Sequence, residues 1–170
     1  NIYGATPWQA ALRDINTVIH LAARVHVMHE DAPDALSQYR EVNVDGTLNL
    51  ARQAAKAGVR RFIFLSSVKV QGEGSTEPYR ETDILAPQGA YALSKWEAES
   101  GLRALLQAGG MEYVILRPTL IYGPGVGANF LRLLRWAKSG IPLPFSAIDN
   151  RRSLLYVGNL TDAICACLDH

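Results

Sequence analysis

Tyr91 and Lys95 stand four residues apart in Tyr91-Ala-Leu-Ser-Lys95, at the start of a helical pattern. That spacing puts both side chains on one helix face. A Lys ammonium beside a phenol stabilises the phenolate and is expected to lower the Tyr pKa from its reference near ~10. A phenol tuned in that way can move a proton near neutral pH. Upstream, Phe62-Ile-Phe-Leu-Ser66-Ser67 is an apolar run that ends in hydroxyls. Such a strand end is where α/β enzymes present reactive groups. Ser67, Tyr91 and Lys95 are therefore the candidate catalytic set.

The rest of the composition narrows the class. A chain of 170 residues with 48% hydrophobic content is globular and large enough to bury a core. A net charge of +1 gives no electrostatic case for nucleic acid or for an acidic membrane. No apolar stretch reaches bilayer length and Asn1 opens no signal peptide, so the expectation is no membrane partner and a cytoplasmic location. Cys165 and Cys167 point different ways on a helix and read as buried reduced thiols. The four His form no ligand pattern with them, so no metal is expected.

The elements alternate. Strands are expected at Thr17–Leu21, Arg61–Ser66 and Tyr113–Arg117, with a short extended piece at Ser153–Val157. Helices are expected at Trp8–Asp14, Tyr39–Ala57, Tyr91–Ala108, Asn129–Lys138 and Leu160–Leu168, and loops over 72–88 and around Pro142 and Pro144. Strands that alternate with long helices mean a parallel sheet with crossover helices. Three strands make a thin sheet, so its neighbours are expected upstream of Asn1.

The motifs also occur in a familiar order. Val18-Ile-His-Leu-Ala-Ala23, Asn43-Val-Asp-Gly46-Thr, Phe62-Ile-Phe-Leu-Ser66-Ser67, Tyr91-x-x-x-Lys95, Arg117-Pro118, Tyr122-Gly-Pro-Gly125 and Arg152-x-x-x-Tyr156-Val157 span nearly the whole chain. Together they resemble the extended short-chain dehydrogenase/reductases, in particular the NAD-dependent epimerase/dehydratase group. The resemblance implies a Rossmann-like α/β fold. Residues 1–128 would be a partial NAD(P)-binding domain carrying the catalytic residues, and 129–170 the start of a nucleotide-sugar-binding region. It implies that Tyr91 is the acid/base on a sugar hydroxyl, that Lys95 holds the nicotinamide ribose, and that Ser67 hydrogen-bonds the reacting oxygen. Leu21, Ala22, Ala23, Arg24, Asn43, Ser66 and Pro118 would line the cofactor with Tyr91 and Lys95. Asn129 and Arg152, with Ser67, would hold the nucleotide-sugar, Arg being suited to a diphosphate.

The implied activity is NAD-dependent C4 epimerisation of a nucleotide-diphosphate sugar, such as UDP-glucose or a UDP-N-acetylhexosamine, through a 4-keto intermediate. NADP in place of NAD stays open. So do a one-way 4-keto nucleotide-sugar reductase and a non-catalytic dinucleotide-binding regulator, because fold does not decide function. Simpler readings also stand: Ser66 and Ser67 as turn caps, Asn43 bonded within its own helix, and Arg24 and Arg152 as surface charges. Two departures matter. The Gly-rich phosphate loop would lie upstream, and so would most of the C-terminal substrate lobe downstream. Val68-Lys69 stands where sugar 4,6-dehydratases carry Asp-Glu, which argues against elimination of water. A homodimer is expected through helices 39–57 and 91–108, with Leu102, Leu105 and Leu106 supplying apolar surface.

Overall fold

The structure is a computed structural model that describes residues 2–25, 34–107, 109–140 and 151–169. The expected loop around Pro142 and Pro144 falls outside these residues. Strands β1 (Thr17–His20), β2 (Arg61–Leu65) and β3 (Glu112–Leu116) form one parallel sheet in the order β1-β2-β3. The fold class is the expected one, a Rossmann-like parallel sheet with flanking helices.

β2 is central, so its side chains are covered on both faces, which is why it reads as an unbroken apolar run. Phe62 and Phe64 alternate onto one face. There they meet Leu50, Ala51 and Ala54 of helix α2 (Thr47–Lys56), and Ala98, Leu102 and Leu106 of helix α3 (Gly89–Leu106). Arg61 and Ile63 take the opposite face. Arg61 Nη1 donates to the Cys167 carbonyl at 2.7 Å, which ties down helix α5 (Val157–Asp169). α2 ends where Gly58 takes φ +79°, a left-handed stop that favours glycine. α2 and α3 touch closely at Gly101, where a Cβ would lie 2.8 Å from both Leu48 methyls.

Several elements differ from expectation. Trp8–Asp14 is a string of turns rather than a helix. One i→i−4 bond forms, Leu12 N–H to Trp8 O at 3.0 Å, but Asp14 sits at φ +59° and ends the turn. Asn49 and Gln53 of α2 hold the start of this segment instead: both donate to Thr6 O just before it, at 2.7 and 2.9 Å, and Gln53 Oε1 accepts from Trp8 N–H at 2.8 Å. The single expected helix at Tyr39–Ala57 is three joined pieces: α1 (Ala35–Tyr39), a π-helical segment (Arg40–Gly46) and α2. It starts early because Asp34 caps it, accepting from Ser37 N–H at 3.0 Å. A short strand β4 (Leu120–Tyr122) was not expected. It pairs in parallel with β5 (Leu154–Tyr156), and helix α4 (Ala128–Lys138) lies between them in sequence. Three residues between Pro118 and Gly123 carry too little pattern to be seen. Cys165 is exposed rather than buried, and Cys167 is half-buried. Leu102 and Leu106 lie in the core of this chain, so they do not supply the outer apolar surface expected of them.

The buried face of α3 runs Ala92, Lys95, Ala98, Glu99, Leu102, Leu106, and two of its members are charged. Glu99 grips Arg117, just past β3, in a fork: Nε to Oε1 at 3.0 Å and Nη2 to Oε2 at 2.6 Å. The pair is deeply buried, with side-chain exposure of 13% for Arg117 and 1% for Glu99. Breaking such a pair strands a charge and costs about 3–5 kcal/mol, whereas replacing both partners by apolar groups is often neutral. Glu99→Leu alone is therefore expected to lower the urea midpoint strongly. Glu99→Leu with Arg117→Met is expected to recover most of the loss. A Glu99→Leu protein as stable as the parent would refute this account.

Candidate active site at the strand ends

The candidate residues gather at the carboxyl edge of the sheet because each follows a parallel strand. Leu21–Arg24 follow β1, Ser66 and Ser67 follow β2, and Pro118 follows β3. The ladder runs past the strands: Ser66 N–H donates to Leu116 O at 2.7 Å and Val68 N–H to Pro118 O at 3.0 Å. These bonds fix Ser67 beside Pro118. Tyr91, in the first turn of α3, lies close enough to Ser67 for that hydroxyl to pull its proton affinity down. Both line a cavity of about 580 Å³, together with Pro118, Thr119, Arg151 and Arg152. Asn129 lies in the first turn of α4, and its side chain is outside the described residues.

Lys95 is 1% exposed. Its Nζ donates to Leu65 O at 2.6 Å and sits 4.1 Å from the Phe64 ring centre. Burial pulls its pKa down to about 8, partly offset by the Glu99 carboxylate. Tyr91 goes the other way. Burial pushes its phenol up, with the Ser67 hydroxyl opposing and Tyr39 adding to the rise. The sequence predicted a phenol lowered by Lys95. The ammonium instead spends its bond on Leu65 O, and desolvation governs the phenol.

His20, the last residue of β1, is buried next to this lysine. It lies 2.8 Å from Thr47 Oγ1 through Nε2 and stacks on Phe64 with ring centres 5.7 Å apart. Burial, and then the Lys95 charge, lower its pKa to about 4.

Asn43 lies in the middle helix beside Tyr91's neighbour Ser94, as expected. It is buried within the π-helical segment and clips the loop after β1. Its Oδ1 accepts from Arg24 N–H at 2.8 Å, and its Nδ2 donates to Arg24 O and to Ser94 Oγ, both at 3.0 Å. Ser94 Oγ in turn donates to Tyr91 O at 2.8 Å. Asn43 thus ties α3 to the loop after β1 through its amide. Arg24 holds its guanidinium over the Tyr39 ring, 5.4 Å from the centre. Leu21 and Ala22 are exposed, Ala23 is half-buried, and their small or apolar side chains leave the backbone open to approach. Ser66 is buried, and its Oγ has no hydrogen-bond partner among the described residues. Residues not singled out from the sequence include Ser94, Glu99, Tyr39 and Thr47. Only the heptad-like spacing of Lys95, Glu99 and Leu102 could have revealed that charges lie inside.

Among the described residues no cluster of His, Cys, Asp or Glu is arranged for a metal, and no helix is long and apolar enough to cross a membrane. The model of the NAD-dependent epimerase/dehydratase family matches residues 2–170. The chain belongs to that family. It is 50% identical, over its whole length, to a UDP-glucose 4-epimerase of Vibrio cholerae, of which it covers 53%. It is 36% identical, over 91% of its length, to an N-acetyl-α-D-glucosaminyl-diphospho-ditrans,octacis-undecaprenol 4-epimerase of Escherichia coli O157:H7, of which it covers 46%. Among solved structures it is similar to a UDP-glucuronic acid 4-epimerase from Bacillus cereus in complex with UDP-glucuronic acid and NAD. The TM-score there is 0.82 at 26% identity, over 98% of this chain and 53% of that one. The chain spans about half the length of these relatives.

The buried imidazole yields a pH test. The folded state resists protonating His20, whose pKa falls from 6.5 to about 4. Its contribution to stability is complete above pH 6.5 and is lost as pH falls through about 4, by about 3 kcal/mol. Imidazole NMR should show His20 neutral at pH 5.5; titration near 6.5 would overturn the assignment.

Proposed function

We propose that this chain carries the catalytic part of an NAD-dependent epimerase that acts at C4 of a nucleotide-diphosphate sugar. The observation that carries the reading is that Ser67 and Tyr91 line one cavity at the strand ends, with Lys95 buried one turn further along α3. The chain's residues also fit a dinucleotide. The buried Ser66 Oγ has an unused bond, and the loop from Leu21 to Ala23 presents small side chains where a backbone approach is needed. Pro118, Arg24 and Lys95 border the same edge, and Lys95 has further N–H groups to offer a ribose. Affinity for NAD over NADP follows the cofactor named in the relatives' structures.

Bound NAD supplies a hydride acceptor that takes the C4 hydrogen and returns it to either face, which no side chain can do. The residues handle the proton. Ser67 accepts and orients the C4 hydroxyl, and Tyr91 Oη takes its proton as the carbonyl forms. After the 4-keto sugar turns over, Tyr91 gives that proton back to the oxygen. Burial makes the phenolate costly, so the Ser67 hydroxyl and the nearby ammonium must both stabilise it. Arg152, which lines the same cavity, suits the diphosphate. Val68 and Lys69 supply no acid pair for elimination of water. A one-way 4-keto sugar reductase would use the same three residues, and a mycobacterial dTDP-4-dehydrorhamnose reductase is 30% identical over 93% of the chain. Reversible conversion of UDP-glucose to UDP-galactose without added reductant separates the two. A binding-only regulator would have no use for the intact set.

The domain reading is that residues 1–128 hold the cofactor and the catalytic groups, while 129–170 begin the sugar-nucleotide region, in a cytoplasmic protein. In the full-length protein, Tyr91→Phe is expected to lower kcat by about 10²–10⁴ while sugar binding stays nearly unchanged. Activity within about threefold of the parent would sink the assignment.

A homodimer through the helical run ending at Lys56 and through α3 belongs to the same reading. Leu93, Trp96 and Leu105 are apolar side chains of α3 that this chain only half buries. Light scattering of the full-length protein is expected to give twice the chain mass, and Leu93→Lys is expected to give monomer. A monomer for the parent at high concentration would contradict it.

A further inference from the structure

Lys69 lies two residues beyond Ser67 and lines the same cavity, and Glu73 lines it too. The 3₁₀ turn Val68–Val70 carries Lys69, and Ser67 caps that turn: its Oγ accepts from Lys69 N–H at 3.3 Å. The backbone that aims the catalytic hydroxyl therefore also carries the lysine. Lys69 Nζ donates to Glu73 Oε1 at 2.9 Å, and both side chains are about half exposed, at 50% and 47%. An exposed i,i+4 pair adds little to stability. Its place on a cavity wall, one turn from the reacting hydroxyl, gives it another use.

We propose that the Lys69–Glu73 pair reads the substituents next to the reacting carbon and favours a neutral, hydroxylated hexose over a uronate. The inference rests on the epimerase reading for its substrate class. The pair presents a donor and an acceptor side by side with no net charge, which suits a hydroxyl, itself donor and acceptor. A sugar carboxylate would face Glu73, with Glu77 on the same wall, and would have to break the existing ion pair to reach Lys69. Selection here is partly repulsive. The arginines of the cavity, Arg151 and Arg152, come from the segment before β5 rather than from this turn.

The test uses full-length protein saturated with NAD, with UDP-glucose and UDP-glucuronate as calorimetric probes. The parent is expected to bind UDP-glucose at least about tenfold more tightly. Glu73→Gln, which frees the ammonium, is expected to shift the ratio toward UDP-glucuronate by about tenfold. Lys69→Met is expected to weaken UDP-glucose by about tenfold and to leave UDP-glucuronate poor. Both sites are exposed, so folding should survive, and circular dichroism checks that. Ratios that stay within about twofold in both variants, or a parent that prefers the uronate, would overturn the proposal. Turnover of the same sugars is read separately. Selective binding without epimerisation would strike the epimerase reading alone, and epimerisation with an unchanged ratio would strike this one alone.

Discussion

A buried ammonium is the constraint around which this chain is arranged. Lys95 keeps 1% of its surface, yet it cannot be left unpaired in a low-dielectric interior without a cost of several kcal/mol. Three features offset that cost: a bond to Leu65 O, the face of Phe64, and the Glu99 carboxylate one turn along. Each fixes something. The bond to Leu65 sets α3 against the end of β2. Glu99, gripped by Arg117, sets α3 against the end of β3. A helix held at two successive turns against two strands cannot rotate. Its first turn must then point Tyr91 where it points, at Ser67. Burial, and then the same charge, keep His20 at the end of β1 neutral. All three strand ends thus answer to one lysine.

A second, weaker constraint holds the remaining wall. Asn43 spends its amide on both backbone groups of Arg24 and on Ser94, which bonds back to the Tyr91 carbonyl. The loop after β1 is thereby coupled to the helix that carries Tyr91. Asn43 sits in a seven-residue π-helical segment, a geometry that recurs at functional sites because it reorients side chains from the regular i, i+4 rows. The helix trades regular bonding for aim at this point. The Arg40–Glu97 pair, at 2.6 Å on the outside, closes the same junction between this segment and α3.

How much of this was legible follows from which physics leaves a periodic trace. The central strand was plain, because burial on both faces makes Phe62–Leu65 continuously apolar. So was α3, whose Ala98, Leu102 and Leu106 repeat at helical spacing. The site was legible as residue types at strand ends, since Ser67, Tyr91 and Lys95 carry chemistry that neighbouring apolar residues do not. The π-helical segment was invisible, since a 3.6-residue pattern persists through it. β4 was hidden by its length, and the Trp8–Asp14 turns by a left-handed Asp14 that no propensity rule demands. The role of Asn43 depended on partners 19 and 51 residues away, which no local window holds together.

The proton affinities of the pair carry the argument one step further than spacing could. A lysine near a tyrosine suggests a lowered phenol and an intact ammonium. Burial reverses that order: the ammonium falls to about 8 while the phenol rises. In the folded chain the lysine would surrender its proton before the tyrosine did, so raising the pH cannot by itself produce a phenolate beside a charged lysine. In the proposed reaction Tyr91 can take a sugar proton only as a phenolate, so its own proton must leave first, and the Ser67 hydroxyl and the Lys95 ammonium must then hold the charge. Burial makes that charge costly and so keeps the resting phenol protonated, and a protonated phenol takes no proton from water or from stray alcohols.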